Sequence, residues 1–187
     1  MSLRGIFPIL ATCFHADGSL DLDSQKRLIA FCLESGAHGL VMLANASEGH
    51  LLAEDEKRSL VQLVLAETQG RTPVIVTVNH PSARVAADMA AAAAADGAAA
   101  IMSLPPFFGR WRAGPDEITR YYEHLNRAID VPIVIQDHML TDISMPVGFL
   151  ADLAIALQHV AYLKLEAGNI IQKARALLAA GGQHLDG

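Results

Sequence analysis

Short apolar runs alternate with longer amphipathic stretches along the chain. The runs predict β-strands over residues 5–10, 39–43, 73–78, 99–103, 132–136 and 160–165. The stretches between them predict helices over residues 23–35, 54–69, 83–96, 116–129, 147–157 and 169–180. Strand, helix and strand recurring at about 30 residues indicate βαβ units and a parallel sheet. A further strand is predicted to begin at His184-Leu185.

Two architectures accommodate this repeat, an open doubly wound sheet and a closed (β/α)₈ barrel. The glycine-rich dinucleotide fingerprint is absent after the first run, where Leu10-Ala11-Thr12-Cys13-Phe14 follows. That weakens a nucleotide-binding sheet without excluding an open sheet of another kind. A complete barrel needs about 250 residues, whereas this chain has 187. A barrel made from residues 1–187 would therefore be a single domain that lacks its C-terminal βα units.

Composition excludes several classes of function. The net charge is −6 and no run of Lys and Arg occurs, which argues against nucleic-acid binding. Hydrophobic residues make up 52%, as in a globular domain. The Ala-rich stretch 86–100 is interrupted by Asp88 and Asp96, so we expect a soluble helix and no membrane contact. Cys13 and Cys32 form no recognisable zinc or disulfide framework, and residues 5–14 lack the features of a signal peptide, which favours the cytoplasm.

Lys164 stands out among the four lysines. It lies near the C-terminal end of an apolar strand, where barrels place their catalytic groups. Desolvation there favours a free amine that attacks a carbonyl. Period two puts Tyr162, Lys164 and Glu166 on one face of the strand, so the alternative is a structural lysine paired with Glu166. The other lysines (Lys26, Lys57 and Lys173) lie in polar helix stretches and are predicted to be solvated surface charges.

Five segments, in order along the chain, resemble the dihydrodipicolinate synthase / N-acetylneuraminate lyase family of class I aldolases. They are Gly5-Ile6-Phe7-Pro8-Ile9-Leu10-Ala11-Thr12 with the turn at Asp17-Gly18, Ala44-Asn45-Ala46-Ser47-Glu48, Leu104-Pro105-Pro106-Phe107-Phe108, Val131-Pro132-Ile133-Val134-Ile135-Gln136-Asp137, and Tyr162-Leu163-Lys164-Leu165-Glu166-Ala167-Gly168-Asn169. The last segment resembles the one that carries the Schiff-base lysine. The resemblance implies a (β/α)₈ TIM barrel, here truncated after about six βα units, with Lys164 as the nucleophile. It also implies a 2-oxo acid substrate such as pyruvate, no cofactor and a homo-oligomer, a dimer or tetramer.

The chain departs from the family's pattern at several site positions. The two threonines that bind the substrate carboxylate and relay protons are Asn45 and Ala46 here. The tyrosine after the fifth strand is Gln136, and the loop tyrosine is Phe107, or Pro106 if the register slips by one. The arginine of true dihydrodipicolinate synthases falls near Thr141. Gln136 cannot act as an acid or base near neutral pH, so we expect a sibling lyase, hydratase or dehydratase acting on another 2-oxo acid.

The remaining candidate residues follow the predicted strands. Backbone N–H groups of Asn45, Ala46 and Ser47 are predicted to bind the substrate carboxylate, and His138 to supply the missing acid or base. Phe107 with Arg110 or Arg112 forms either a substrate lid or a packing contact between subunits.

Two other functions remain open from the sequence. His50, His80 and His138, with Glu48 and Asp137, suit a metal-dependent barrel lyase or hydrolase, although their spacing matches no metal motif and we expect no metal. A catalytically inactive, truncated family member is the other alternative.

Overall fold

The computed structural model describes residues 3–166 and 168–187. Its helices are α1 (Leu22–Glu34), α2 (Glu54–Thr68), α3 (Ala83–Ala95), α4 (Pro115–Ala128), α5 (Val147–Ala156) and α6 (Ile170–Gly181). Its strands are β1 (Leu40–Met42), β2 (Val74–Thr77), β3 (Ala100–Ser103), β4 (Phe107–Phe108), β5 (Trp111–Arg112), β6 (Ile133–His138) and β7 (Val160–Glu166). Every predicted helix is confirmed.

Local sequence signals explain where several helices begin. Asp21 accepts a 2.8 Å hydrogen bond from the backbone N–H of Ser24 at the start of α1, as an N-cap residue does. At the start of α4, Glu117 accepts from the N–H of Gly114 at 2.8 Å, and Pro115 occupies the first turn. None of the helices within residues 3–166 and 168–187 has the length and apolar character needed to cross a bilayer.

Five strands form one parallel sheet in the order β1-β2-β3-β6-β7, which follows the chain without reversal. Helical side chains pack on one face of this sheet. The other face carries a separate apolar cluster that contains strand and N-terminal residues and no helical residue, with Val41, Ile75, Met102, Val134 and Tyr162 among its members. A doubly wound sheet reverses its strand order and is covered by helices on both faces, so this arrangement confirms the barrel topology.

The sheet continues at both edges in less regular form. The predicted first strand, residues 5–10, makes an isolated parallel bridge between Ile9 and Val41. Pro8 accepts a bond from Val41 N–H but has no N–H of its own to donate, which interrupts the ladder. At the other edge, Asp186 N–H donates to Ala161 at 2.8 Å, and Leu163 N–H donates to Gly187 at 3.1 Å. The strand predicted to begin at His184-Leu185 therefore pairs with β7 from Asp186 onward.

Strand alternation positions the candidate site on β6 and β7. Ile133 and Ile135 of β6 belong to the apolar cluster between sheet and helices, whereas Val134 belongs to the inner cluster. Continuing the alternation, Gln136 and His138 lie on the inner side and Asp137 on the helix side. In β7, Tyr162 belongs to the inner cluster, which places Lys164 and Glu166 on the inner side as predicted.

Candidate active site

Three polar side chains meet on the inner side of β6 and β7. Lys164 Nζ forms an ion pair with Oε2 of Glu166. Gln136 Nε2 donates a hydrogen bond to the same oxygen at 2.7 Å. The strand register explains the meeting, because Gln136 lies opposite Lys164 and His138 lies opposite Glu166. The structure thus brings together the predicted residues Lys164, Gln136 and His138 around a carboxylate.

Glu166 is held in its charged form. Partial burial alone would raise the pKa of its carboxyl, but the hydrogen bonds from Lys164 and Gln136, together with the charges of Lys164 and His138, lower it below the ordinary value. Lys164 retains 26% exposure of its side chain, so a small molecule can reach its amine. The cluster combines a potential nucleophile with a carboxylate in contact with it.

Gln136 is nearly fully buried, at 1% exposure. Its Nε2 donates to Glu166, while its Oε1 finds no hydrogen-bond partner among the described residues. An amide in this place orients a carboxylate but does not exchange protons near neutral pH. Any proton transfer at the cluster therefore falls to Glu166 or His138.

The loop after β1 adopts a short 3-10 turn over Asn45–Ser47. Leu43 enters it with a φ of 57°, and Thr12 Oγ1 donates to the carbonyl of Ser47 at 2.5 Å. Asn45 Nδ2 and Ser47 Oγ are buried without a hydrogen-bond partner among the described residues, and Ala46 is exposed. Ser47 N–H donates to the carbonyl of Ala44 at 3.0 Å, so the predicted carboxylate role rests on the N–H groups of Asn45 and Ala46.

The aromatic loop after β3 contains an antiparallel hairpin that was not predicted, with Phe107 opposite Arg112 and Phe108 opposite Trp111. Two-residue strands leave almost no periodic signal in a sequence. The Arg112 guanidinium lies 5.9 Å from the centre of the Phe107 ring, whereas Arg110 is exposed near the hairpin turn. Of the two candidate arginines, Arg112 is the one that contacts Phe107, and the substrate role of Arg110 stays a prediction.

A cavity of about 500 Å³ lies between the loops that follow β1, β2 and β3. Its walls include the predicted residues Asn45 and Phe107, together with His50, His80 and Lys57. Arg110 is not part of its lining. Of the predicted substrate-binding residues, Asn45 and Phe107 line this cavity, whereas Ala46, Ser47 and Arg110 do not. The lysine cluster is on β6 and β7.

The metal alternative assigned His50, His80 and His138 to a common site. Within residues 3–166 and 168–187, no group of three or more His, Cys, Asp or Glu side chains is placed to hold a metal ion. Asp137, another member of that proposed set, is buried on the helix side and forms an ion pair with Lys173. The described residues therefore provide no ligand set for a metal-dependent lyase or hydrolase.

The prediction for Lys173 was wrong. Its side chain is 17% exposed and lies on α6, with Nζ 2.6 Å from Oδ2 of Asp137, whose side chain is 1% exposed. Lys57 was also predicted to be solvated, but it is only 17% exposed and lines the cavity. Lys26 is exposed as expected. Sequence polarity around Lys173 gave no sign of a partner that is distant in the chain.

The sequence predicted Glu166 only as an ion-pair partner that would give Lys164 a structural role. The alternation of β7 already placed it beside Lys164, and the neighbouring Gln136 could have suggested that a carboxylate replaces the missing tyrosine. Thr141, at the position where the family has an arginine, is fully buried and donates to the carbonyl of His138 at 3.1 Å. It therefore caps the end of β6 and does not supply a charged group.

Comparison with known proteins identifies relatives over nearly the whole chain. Residues 2–184 match the model of the dihydrodipicolinate synthetase family. The chain is 38% identical over 185 residues to an L-2-keto-3-deoxyarabonate dehydratase of Azospirillum brasilense, a match that covers 98% of this chain and 60% of that relative. It is 28% identical over 131 residues to a probable 2-dehydro-3-deoxy-D-pentonate aldolase of Escherichia coli strain K12, covering 70% and 43% of the two chains.

Solved structures show the same fold. Dihydrodipicolinate synthase of Thermotoga maritima superimposes with a TM-score of 0.89 at 25% identity, covering 98% of this chain and 61% of that one. A monomeric dihydrodipicolinate synthase variant gives a TM-score of 0.89 at 26% identity, covering 98% and 60%. The chain thus spans about 60% of the length of these relatives, as the truncated-barrel prediction implies. The sequence and structural matches agree, and the chain belongs to the dihydrodipicolinate synthetase family.

Proposed function

We propose that this chain carries the catalytic centre of a lyase that acts on a 2-oxo acid through a Schiff base at Lys164. The single observation that carries the proposal is the contact of Lys164 and Gln136 with one oxygen of Glu166. A lysine amine, a carboxylate in contact with it and an amide that orients this carboxylate supply the groups needed for imine formation and proton transfer.

The reacting form of Lys164 is the free amine, which forms when its ammonium releases a proton to solvent. The free amine adds to the 2-oxo carbon, and loss of the carbonyl oxygen as water leaves an iminium. Because the iminium withdraws electrons, a proton leaves the adjacent C3 and an enamine forms. The departing water takes one proton from the Lys164 amine and one from solvent, and Glu166 accepts the C3 proton as a carboxylate.

A dehydration suits the cluster best. The enamine expels the C4 hydroxyl group: the C4–O bond breaks, a C3–C4 double bond forms, and the proton that Glu166 took from C3 joins the departing hydroxide as water. Hydrolysis of the remaining imine frees Lys164 and a new 2-oxo acid. The 38% identity to a protein named as a 2-keto-3-deoxyarabonate dehydratase supports this outcome, as does Gln136 in place of the family's tyrosine. The proposed substrate is a 3-deoxy-2-oxo sugar acid with a hydroxyl group on C4.

The predicted substrate contacts complete the proposal. Backbone N–H groups of Asn45 and Ala46 would hold the carboxylate, and Phe107 would border the mouth. His138 lies opposite Glu166 in the register and would share in proton transfer. We also propose a homo-oligomer, as the resemblance implies, and a reducing compartment such as the cytoplasm, which agrees with Cys13 and Cys32 both being free thiols.

Reductive trapping tests the Schiff base. Pyruvate with borohydride should add a stable mass to the chain, and peptide mapping should place it at Lys164. Lys164→Ala and Lys164→Arg should form no adduct, since guanidinium stays protonated and cannot attack a carbonyl. Lys26→Ala, at an exposed position on α1, is the matched control and should be trapped as the unmodified chain is. An adduct that persists in Lys164→Ala would overturn the proposal, and product analysis with a 3-deoxy-2-oxo pentonate would separate dehydration from aldol cleavage.

A further inference from the structure

A buried ion pair lies on the opposite side of the sheet from the lysine cluster. Lys173 Nζ, on the first turns of α6, is 2.6 Å from Asp137 Oδ2 and donates to the carbonyl of Met145 at 2.7 Å. One lysine thus joins the end of β6, the segment that follows it and the helix after β7. Asp137 is almost completely buried, and Tyr122 of α4 is close enough for the Asp137 charge to act on its hydroxyl.

The end of β6 needs such an anchor because its backbone is paired there on one side. The register with β3 runs to the pair Ser103–Ile135, whereas the register with β7 continues through His138–Glu166. From Gln136 onward, the pairing within the described residues is therefore to β7 alone. A strand paired along one edge can still rotate about its own axis, which would move its side chains relative to those of β7.

Alternation couples the anchor to the site. Asp137 lies between Gln136 and His138 in sequence and points to the opposite side of the sheet. Fixing the Asp137 carboxylate fixes the rotation of the strand, and with it the direction of the two neighbouring side chains. We propose that Lys173 is a positioning residue, which acts through Asp137 to hold Gln136 in hydrogen-bonding reach of Glu166.

This inference goes beyond the proposed reaction and rests on it only for the catalytic consequence. The contact that Lys173 maintains, from Gln136 to Glu166, exists whether or not Lys164 forms an imine. It can therefore be tested on the chain without substrate. The groups that face Glu166 are Lys164, Gln136 and His138, while Lys173 is on the other side of the sheet next to Asp137.

The test is the titration of Glu166. The titration is monitored by ¹³C NMR of labelled glutamate carboxyls, and the Glu166 signal is assigned with Glu166→Gln. Lys173→Met should raise the pKa of Glu166, in the same direction as Gln136→Leu. In both variants Glu166 loses the hydrogen bond from Gln136 that stabilises its carboxylate, because Gln136→Leu removes the donor and Lys173→Met lets it move away. Lys173→Arg should restore the original titration, and Lys26→Met should leave it unchanged. The decisive arm is the double variant, since Lys173→Met should add no further shift when Gln136 is already Leu.

A direct effect of the lost positive charge would instead add the same shift in both backgrounds, and that result would overturn the proposal. So would an unaltered titration in folded Lys173→Met. If this variant does not fold, Asp137→Asn/Lys173→Met removes the uncompensated buried charge and must show the same raised pKa. In the trapping assay, Lys173→Met should react about 10-fold or more slowly, since a ~1 Å displacement can cost ~10²-fold. An unmodified chain that titrates as described but forms no adduct would refute the proposed function and leave the positioning role confirmed.

Discussion

Gln136 and Glu166 are joined by a 2.7 Å hydrogen bond across the paired ends of β6 and β7. The bond places an uncharged donor at the position where the family has a tyrosine and directs it at a carboxylate that also contacts Lys164. In this chain the carboxylate, rather than a phenol, is therefore the titratable group beside the lysine.

Gln136→Leu should lower turnover and move the acidic limb of its pH profile to higher pH. The substitution removes a donor that lowers the pKa of Glu166, so more of the carboxylate is protonated at a given acidic pH. A hydrogen bond to a charged group is worth ~1.5–3 kcal/mol, which predicts a loss of about 10-fold or more in kcat. Steady-state kinetics across pH measure this, and an unchanged acidic limb would exclude Glu166 as the proton acceptor.

Glu166 should contribute to stability at neutral pH and not in acid. Its pKa is lower in the folded chain than its ordinary value, so the contribution is fully present above the unfolded pKa, about 4.3, and is lost as pH falls through the folded pKa. Glu166→Gln should thus be less stable than the unmodified chain at pH 7, with the difference shrinking in acid. Urea unfolding at pH 7 and at an acidic pH measures the free energy of unfolding of the two proteins. Glu34→Gln, at an exposed position on α1, controls for the loss of one carboxylate, and a pH-independent difference for Glu166→Gln would contradict the linkage.

Lys173→Met should destabilise the chain by about 3–5 kcal/mol, because it leaves the Asp137 carboxylate buried without its cation. Asp137→Asn/Lys173→Met should recover much of that loss, since the double variant buries no charge. Chemical unfolding of Lys173→Met, Asp137→Asn and the double variant yields the coupling free energy between the two residues. A coupling close to zero would mean that the ion pair is not maintained in solution.

Gly49→Ala should disturb the turn that contains Asn45 and Ser47. A Cβ atom at Gly49 would lie 2.3 Å from the carbonyl oxygen of Leu43, which is main chain and cannot swing aside. Overpacking of this kind costs ~1–3 kcal/mol. Gly148→Ala is the matched control, because no atom lies within 4 Å of its Cβ and the position is in α5, where Ala is favoured over Gly by ~0.5–1 kcal/mol. Thermal melts of both variants compare them, and equal stability would show that the turn adjusts freely.

The helices, the parallel strands and the partnership of Lys164 with Glu166 followed from the sequence because each depends on a short-range period. The barrel topology also followed, through spacing and the family resemblance. Residues 5–10 were less regular than predicted, since Pro8 removes a donor from the ladder that an apolar pattern does not reveal.

Contacts between distant residues explain what was missed. The partner of Lys173 is 36 positions away, and its burial results from how α6 packs over β6. Neither fact is present in the polar neighbourhood of Lys173 along the chain. The contact of Arg112 with Phe107 likewise had no sequence signal, because the antiparallel register that brings them together depends on a turn of two residues.

Asp186 and Gly187 should slow hydrogen exchange in the first half of β7. Asp186 N–H donates to the carbonyl of Ala161 and Leu163 N–H donates to the carbonyl of Gly187, while β6 covers the other edge of the strand. The amide of Leu163 thus lies between two paired strands, one residue before Lys164. Deuterium should therefore enter this amide slowly, which would show that the backbone leading into Lys164 is rigid.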